Sequence, residues 1–298
     1  MAARCLQVVA ATLSLMVVAS GWAQDIAVKD GQKIAFLGDS ITQQGAASPS
    51  GYVRLVISGL EANGIKAICI PAGISGNKSN DMLGRVERDV IAKKADWMTL
   101  SCGVNDVWHG AGGVPLDQYK QNITAIVDQA QAAGIKVMIL TSTMIGEDAP
   151  NPNNQKLVAY NDVLRTLAAD KKCLLVDLNA DMQAAVKEAN VAGPKKGNVV
   201  TADGVHMNLA GNRMMASGVL KGFGLSPDQM QKAQTAWLDI PKACDLNGKT
   251  AVTMRQYEQL SVLAAKKNVS VNDLLNEAYD KAVAQVLQDA AKTDAGGK

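Results

Sequence analysis

The sequence has almost no excess of charge: across 298 residues, 30 Lys and Arg face 28 Asp and Glu, for a formal net charge of +2. That balance removes any electrostatic case for nucleic acid or an anionic lipid surface as partner. Cysteine is sparse and scattered, with Cys69, Cys102, Cys173 and Cys244 far apart along the chain beyond Cys5. Their spacing matches neither a disulfide framework nor a zinc site, and three of the four lie in strand-like apolar runs, where a thiol behaves as a small hydrophobe. Histidine is scarcer still, His109 and His206 being the whole complement. No G-x-S-x-G elbow, no G-x-x-x-x-G-K-[ST] phosphate loop and no G-x-G-x-x-G turn occurs. Ordinary α/β-hydrolase lipases and the common nucleotide-binding folds are thereby set aside.

Long apolar runs are also missing. The one candidate, Val8 to Ala19, follows Arg4 and leads into Ala19-Ser20-Gly21-Trp22-Ala23. It is short for a bilayer span and reads as a secretory signal peptide over residues 1–23, which implies a secreted or periplasmic protein without a stable membrane anchor. The rest suits one catalytic-sized domain, 24–225, followed by a helical extension, 226–298.

What is present is a regular alternation. Apolar runs at Lys33 to Gly38, Ile65 to Pro71, Asp96 to Cys102, Ile135 to Thr141 and Cys173 to Leu178 alternate with stretches of three-to-four apolar spacing, such as "LDQYKQNITAIVDQAQAAG". Runs this uniformly apolar are buried on both faces, so a three-layer α/β/α sandwich with a five-stranded parallel sheet is expected. Functional loops in such sheets gather at the carboxyl ends of the strands. The unusual residues fall there: Gly38-Asp39-Ser40, "AGISGNKSND", "GVNDVWHGAGG" and "NVVTADGVHMNLAG".

A serine hydroxyl needs a base, and imidazole suits that role at neutral pH. His206 follows Asp203 by three residues, so a tight turn brings the carboxylate to one ring nitrogen and frees the other. Ser40, Asp203 and His206 are the candidate triad. The competing reading makes Asp203 a turn residue and Asn208 a helix cap. An oxyanion would need donors aimed at one point, for which Gly76 offers backbone and Asn105 a side-chain amide.

With "GDSIT" at 38–42, the glycine of "ISGNKS" at Gly76, "GVND" at 103–106 and "DGVH" at 203–206, the chain resembles the SGNH (GDSL) hydrolase family, from about Lys33 to Phe223. It departs from the family pattern at Pro71, where an asparagine is usual. The resemblance implies a flavodoxin-like fold and ester hydrolysis with no cofactor and no metal. It implies Ser40 as nucleophile, His206 as base and then acid, Asp203 as orienting carboxylate, and an oxyanion hole from the Ser40 and Gly76 N–H groups with the Asn105 amide. Export and the family together favour acetyl groups on carbohydrate as substrate. A lysophospholipase or thioesterase on longer chains, and an inactive carbohydrate-binding or scaffold protein, are the alternatives.

Trp108 and His109 are further candidate substrate contacts, although a solvated loop histidine and a tryptophan covering core are the commoner fates of such residues. Arg54 is expected to pair with a surface acid. Glu147 and Asp148 are adjacent loop acids that point apart more readily than they converge, which weighs against a glycosidase pair. Beyond Phe223, "SPDQMQKAQTAWLDIP" reads as one capped helix and the stretch from Val252 to Lys292 as two.

Overall fold

The apolar runs form the expected sheet. In the computed structural model, which describes residues 26–191, 198–241, 243–246 and 250–295, the strands are β1 (Lys33–Gly38), β2 (Ile68–Gly73), β3 (Trp97–Ser101), β4 (Lys136–Leu140) and β5 (Leu174–Val176). All neighbours are parallel, in the order β2-β1-β3-β4-β5. The inner strands are buried almost throughout, as their uniform apolarity requires, while the edge strand β2 is only partly buried. Pro71 sits on that edge, opposite Phe36, where a missing N–H is tolerated.

One helical layer contains α1 (Ser40–Ala47), α2 (Tyr52–Glu61), α7 (Leu178–Val191) and α8 (Leu209–Gly222). The other contains α3 (Ser79–Leu83), α5 (Leu116–Ala132) and α6 (Pro152–Asp170). The short α4 (Val104–Trp108) stands at the exit of β3. Trp97 meets Phe223 edge-on at 5.4 Å between centroids, and Phe36 meets Tyr52 at 6.4 Å, so large rings seal the sheet against the first layer.

Several boundaries differ from the sequence reading. The second strand starts at Ile68 rather than Ile65, because Lys66 is engaged first: its N–H donates to Asp30 Oδ1 (2.7 Å) and its carbonyl accepts from Gly31 N–H (3.1 Å). The stretch "DMLGRVERDVIAKK" is not one helix but α3, a break at Gly84 and a π-helical turn, Glu87–Ile91. The break turns Arg85 inward, where it is 6% exposed. Helix α7 was not anticipated at all.

Toward the C-terminus, α9 (Pro227–Trp237) is capped by Ser226 and Gln229 in a reciprocal box, followed by α10 (Met254–Lys266) and α11 (Val271–Ala295). A short antiparallel pair, β6 (Cys244–Leu246) and β7 (Thr250–Val252), intervenes where only helices were expected. Cys69, Cys102 and Cys173 are free thiols, and the Cys244 side chain lies outside the described residues. Among the described residues no helix is long and apolar enough to cross a membrane, and residues 1–23 lie outside them.

Candidate active site

The turn after β1 is built by steric necessity. A Cβ on Gly38 would lie 2.1 Å from Thr42 Oγ1 and 3.2 Å from Ser101 O, so only glycine lets α1 start this close to the strand end. Asp39 caps that helix, its carboxylate accepting from Ile41 N–H (2.9 Å), and Ser40 is the first helical residue rather than the cap. Burial pushes the Asp39 carboxyl up to about 6, against the opposing pull of the Ile41 N–H and the His206 charge.

The segment before α8 brings the other two candidates to Ser40. His206 Nε2 lies 2.9 Å from Ser40 Oγ, and His206 Nδ1 lies 2.7 Å from Asp203 Oδ2. Asp203 Oδ1 also accepts the N–H groups of Val205 (3.0 Å) and His206 (2.8 Å). Burial raises the Asp203 carboxyl, but these bonds, the one from the His206 ring first, outweigh it and bring the group down to about 2. Asp203 is thus a turn residue and a partner of His206 at once. Asn208 caps α8 through Gly211 N–H (3.1 Å), so the two competing readings of "DGVH" coexist.

Asn105 rides on α4, whose start requires Gly103: its φ is +139°, and a Cβ there would sit 2.3 Å from Ser142 Oγ. The Asn105 amide donates to Asn77 O (3.1 Å), and its oxygen faces His109 Nε2 (3.2 Å). That pairing orients Nδ2 and leaves its second hydrogen uncommitted. Gly76 adopts φ +76° with open space on its Cβ side. Among the described residues neither the Ser40 nor the Gly76 N–H has a protein acceptor.

Arg85, absent from the sequence reading, ties these loops together. Its guanidinium donates to Gly38 O (2.8 Å), Ala72 O (2.8 Å), Asn77 Oδ1 (2.6 Å) and Asp89 (3.0 Å). The available signal was its place beside Val86 and three residues after Met82, both fully buried, in an apolar phase that a solvated arginine would avoid. Among the described residues Arg54 has no acid partner; its Nε donates to Ala46 O at 2.7 Å. Trp108 is 45% exposed at the end of α4, beside His109. Glu147 turns toward the backbone of Val200 and Thr201 while Asp148 is exposed, so the two do not converge.

Ser40, Gly76 and Asn105 leave the exits of three adjacent strands, β1, β2 and β3, where the strand order reverses and a crevice is expected. The family model described as "GDSL-like Lipase/Acylhydrolase family" matches residues 36–214. An acetylxylan esterase of Geobacillus stearothermophilus is 29% identical over 218 residues, covering 66% of this chain and 96% of the relative. The crystal structure of an acetyl xylan esterase, AlAXEase, superimposes with a TM-score of 0.60 at 36% identity, covering 63% of this chain and 98% of that one. Axe2, an acetylxylan esterase of Geobacillus stearothermophilus, superimposes with a TM-score of 0.60 in three catalytic-mutant forms. In these a serine, an aspartate and a histidine are each replaced by alanine. Their identities to this chain are 28%, 26% and 27%, and each covers 67% of this chain and 97% of that one.

Proposed function

The chain belongs to the GDSL-like lipase/acylhydrolase family and is a carboxylic ester hydrolase; from that premise we propose that it removes acetyl groups from carbohydrate through Ser40, His206 and Asp203. The observation that carries this reading is the continuous hydrogen-bonded line from Asp203 through His206 to Ser40, at 2.7 and 2.9 Å. Ser40 Oγ attacks the ester carbonyl as His206 Nε2 takes its proton, and Asp203 holds the Nδ1–H and stabilises the imidazolium. The developing oxyanion is received by the Ser40 and Gly76 N–H groups and the free hydrogen of Asn105 Nδ2. The imidazolium then gives its proton to the sugar oxygen as the C–O bond breaks, so that the sugar leaves as a free hydroxyl. Water, deprotonated by His206, releases acetate from the acyl-enzyme.

Acetylated carbohydrate is favoured because the similar proteins include acetylxylan esterases. We assign Trp108, with its exposed indole, and His109 as contacts for the sugar side. Residues 1–23 are assigned as an export signal, residues 24–225 as the catalytic unit and 226–298 as an extension.

The test is hydrolysis of acetylated xylan and of nitrophenyl esters of increasing chain length, by wild type and Ser40→Ala. Ser40→Ala is expected to lower kcat by about 10³-fold or more. Wild-type rates are expected to fall beyond short chains. Rates that rise with chain length would favour the lysophospholipase or thioesterase alternative, and equal background rates for both proteins would remove the catalytic assignment.

A further inference from the structure

The segment carrying Asp203 and His206 is a small closed loop. Thr201 pairs with Met207 in an antiparallel bridge, and Ala202 N–H donates to His206 O (2.7 Å). Such a loop fixes its own shape but not its angle to the rest of the fold. We propose that Glu147 sets that angle, acting as a positioning residue that holds His206 in line with Ser40. This rests on the triad reading above.

The Glu147 carboxylate accepts the backbone N–H groups of Val199, Val200 (2.8 Å) and Thr201 (2.7 Å), together with the Thr201 hydroxyl (2.7 Å). Consecutive N–H groups converging on one point form a concavity for an anion, and here a side chain from the loop after β4 fills it. The grip extends to the tip of the loop. Thr201 Oγ1 accepts from Gly204 N–H (3.1 Å), and Gly146 N–H donates to Gly204 O (2.7 Å). Two adjacent residues, Gly146 and Glu147, thereby hold stem and tip, with Asp203 and His206 on either side of Gly204.

The anchor is itself fixed. Asn154, in the first turn of α6, accepts from Ile145 N–H (2.7 Å) and donates to Asp148 O (2.8 Å). A neutral amide cannot replace the carboxylate, because one of its two heads would present N–H to N–H. Small displacement of a reacting group is costly, about 10²-fold for an ångström.

Full-length wild type, Glu147→Gln, Thr201→Val and Ser40→Ala are compared by nitrophenyl acetate kinetics. They are also compared by the rate and final stoichiometry of labelling with a fluorophosphonate, which phosphonylates an activated serine with loss of fluoride. For Glu147→Gln, kcat and the labelling rate are expected to fall about 10- to 100-fold, with KM changed by less than about threefold and full final stoichiometry. A purely folding role would instead lower the stoichiometry and leave the rate of the folded fraction unchanged. That result, or rates within about twofold of wild type, overturns the inference. Should Glu147→Gln not fold, Thr201→Val decides: labelling slowed about 3- to 10-fold at full stoichiometry supports the clip, and an unchanged rate overturns it. Ser40→Ala separates the two levels. If it turns over like wild type, the triad reading falls; if it is dead while Glu147→Gln is fully active, only the clip falls.

Discussion

At the scale of single residues, the fold controls the charge of two carboxyls at the candidate site in opposite directions. Asp203 is drawn down by donors and stays ionised far into acid, which keeps the partner of His206 charged. Asp39, adjoining Ser40, is 2% exposed and keeps its proton up to about pH 6, whereas the same carboxyl in an unfolded chain ionises near 3.8. Unfolding between those values releases a proton, so the contribution of Asp39 is fully present below about pH 4 and declines as the pH rises to 6. A raised carboxyl of this size corresponds to a loss on the order of 3 kcal/mol. Urea unfolding of wild type and Asp39→Asn from pH 3.5 to 7, roughly the window of that titration, is expected to show this decline in wild type only. Asparagine keeps the acceptor for the Ile41 N–H but does not titrate. Equal pH slopes for the two proteins would refute the assignment.

At the scale of elements, much was legible in the sequence. Uniformly apolar runs located all five strands, and the candidate residues Ser40, Gly76, Asn105, Asp203 and His206 stand out because each is an unusual residue at a strand exit or before a helix. The illegible parts are those decided by contacts distant in sequence. Arg85 looks like one more helical arginine until Gly38 O and Ala72 O meet it, and Glu147 looks like a loop acid until residues 199–201 fold over it. Helix α9 is a similar case, since its caps were readable and its docking was not. Trp237 is fully buried and donates its Nε1–H to Leu55 O (2.9 Å) on α2. Trp237→Ala is expected to cost about 3–5 kcal/mol, seen as a lower Tm. A chain ending after Pro241 is expected to keep its fold and esterase activity, and one ending after Leu225 to lose thermal stability. Equal Tm values for the two truncations would show that α9 adds nothing to the fold.

At the scale of the whole molecule, the sheet order puts three loop systems on one edge, and α8 closes the fold by packing on α2. Tyr52 N–H, at the start of α2, donates to Asn212 Oδ1 (2.9 Å), while Asn212 Nδ2 donates to Met207 O (3.1 Å), one residue past His206. The proposed export adds a further step, and intact mass of the secreted protein is expected to place the mature N-terminus at Gln24; a chain still carrying residues 1–23 would contradict it. The same wiring has a consequence in time. Ser40 leaves the ribosome early, but His206, and Asn212 that bonds the carbonyl next to it, come more than 160 residues later. On the proposed assignment a partly made or still unfolded chain carries a serine with nothing to activate it. On the same assignment, activity waits until the finished chain has folded.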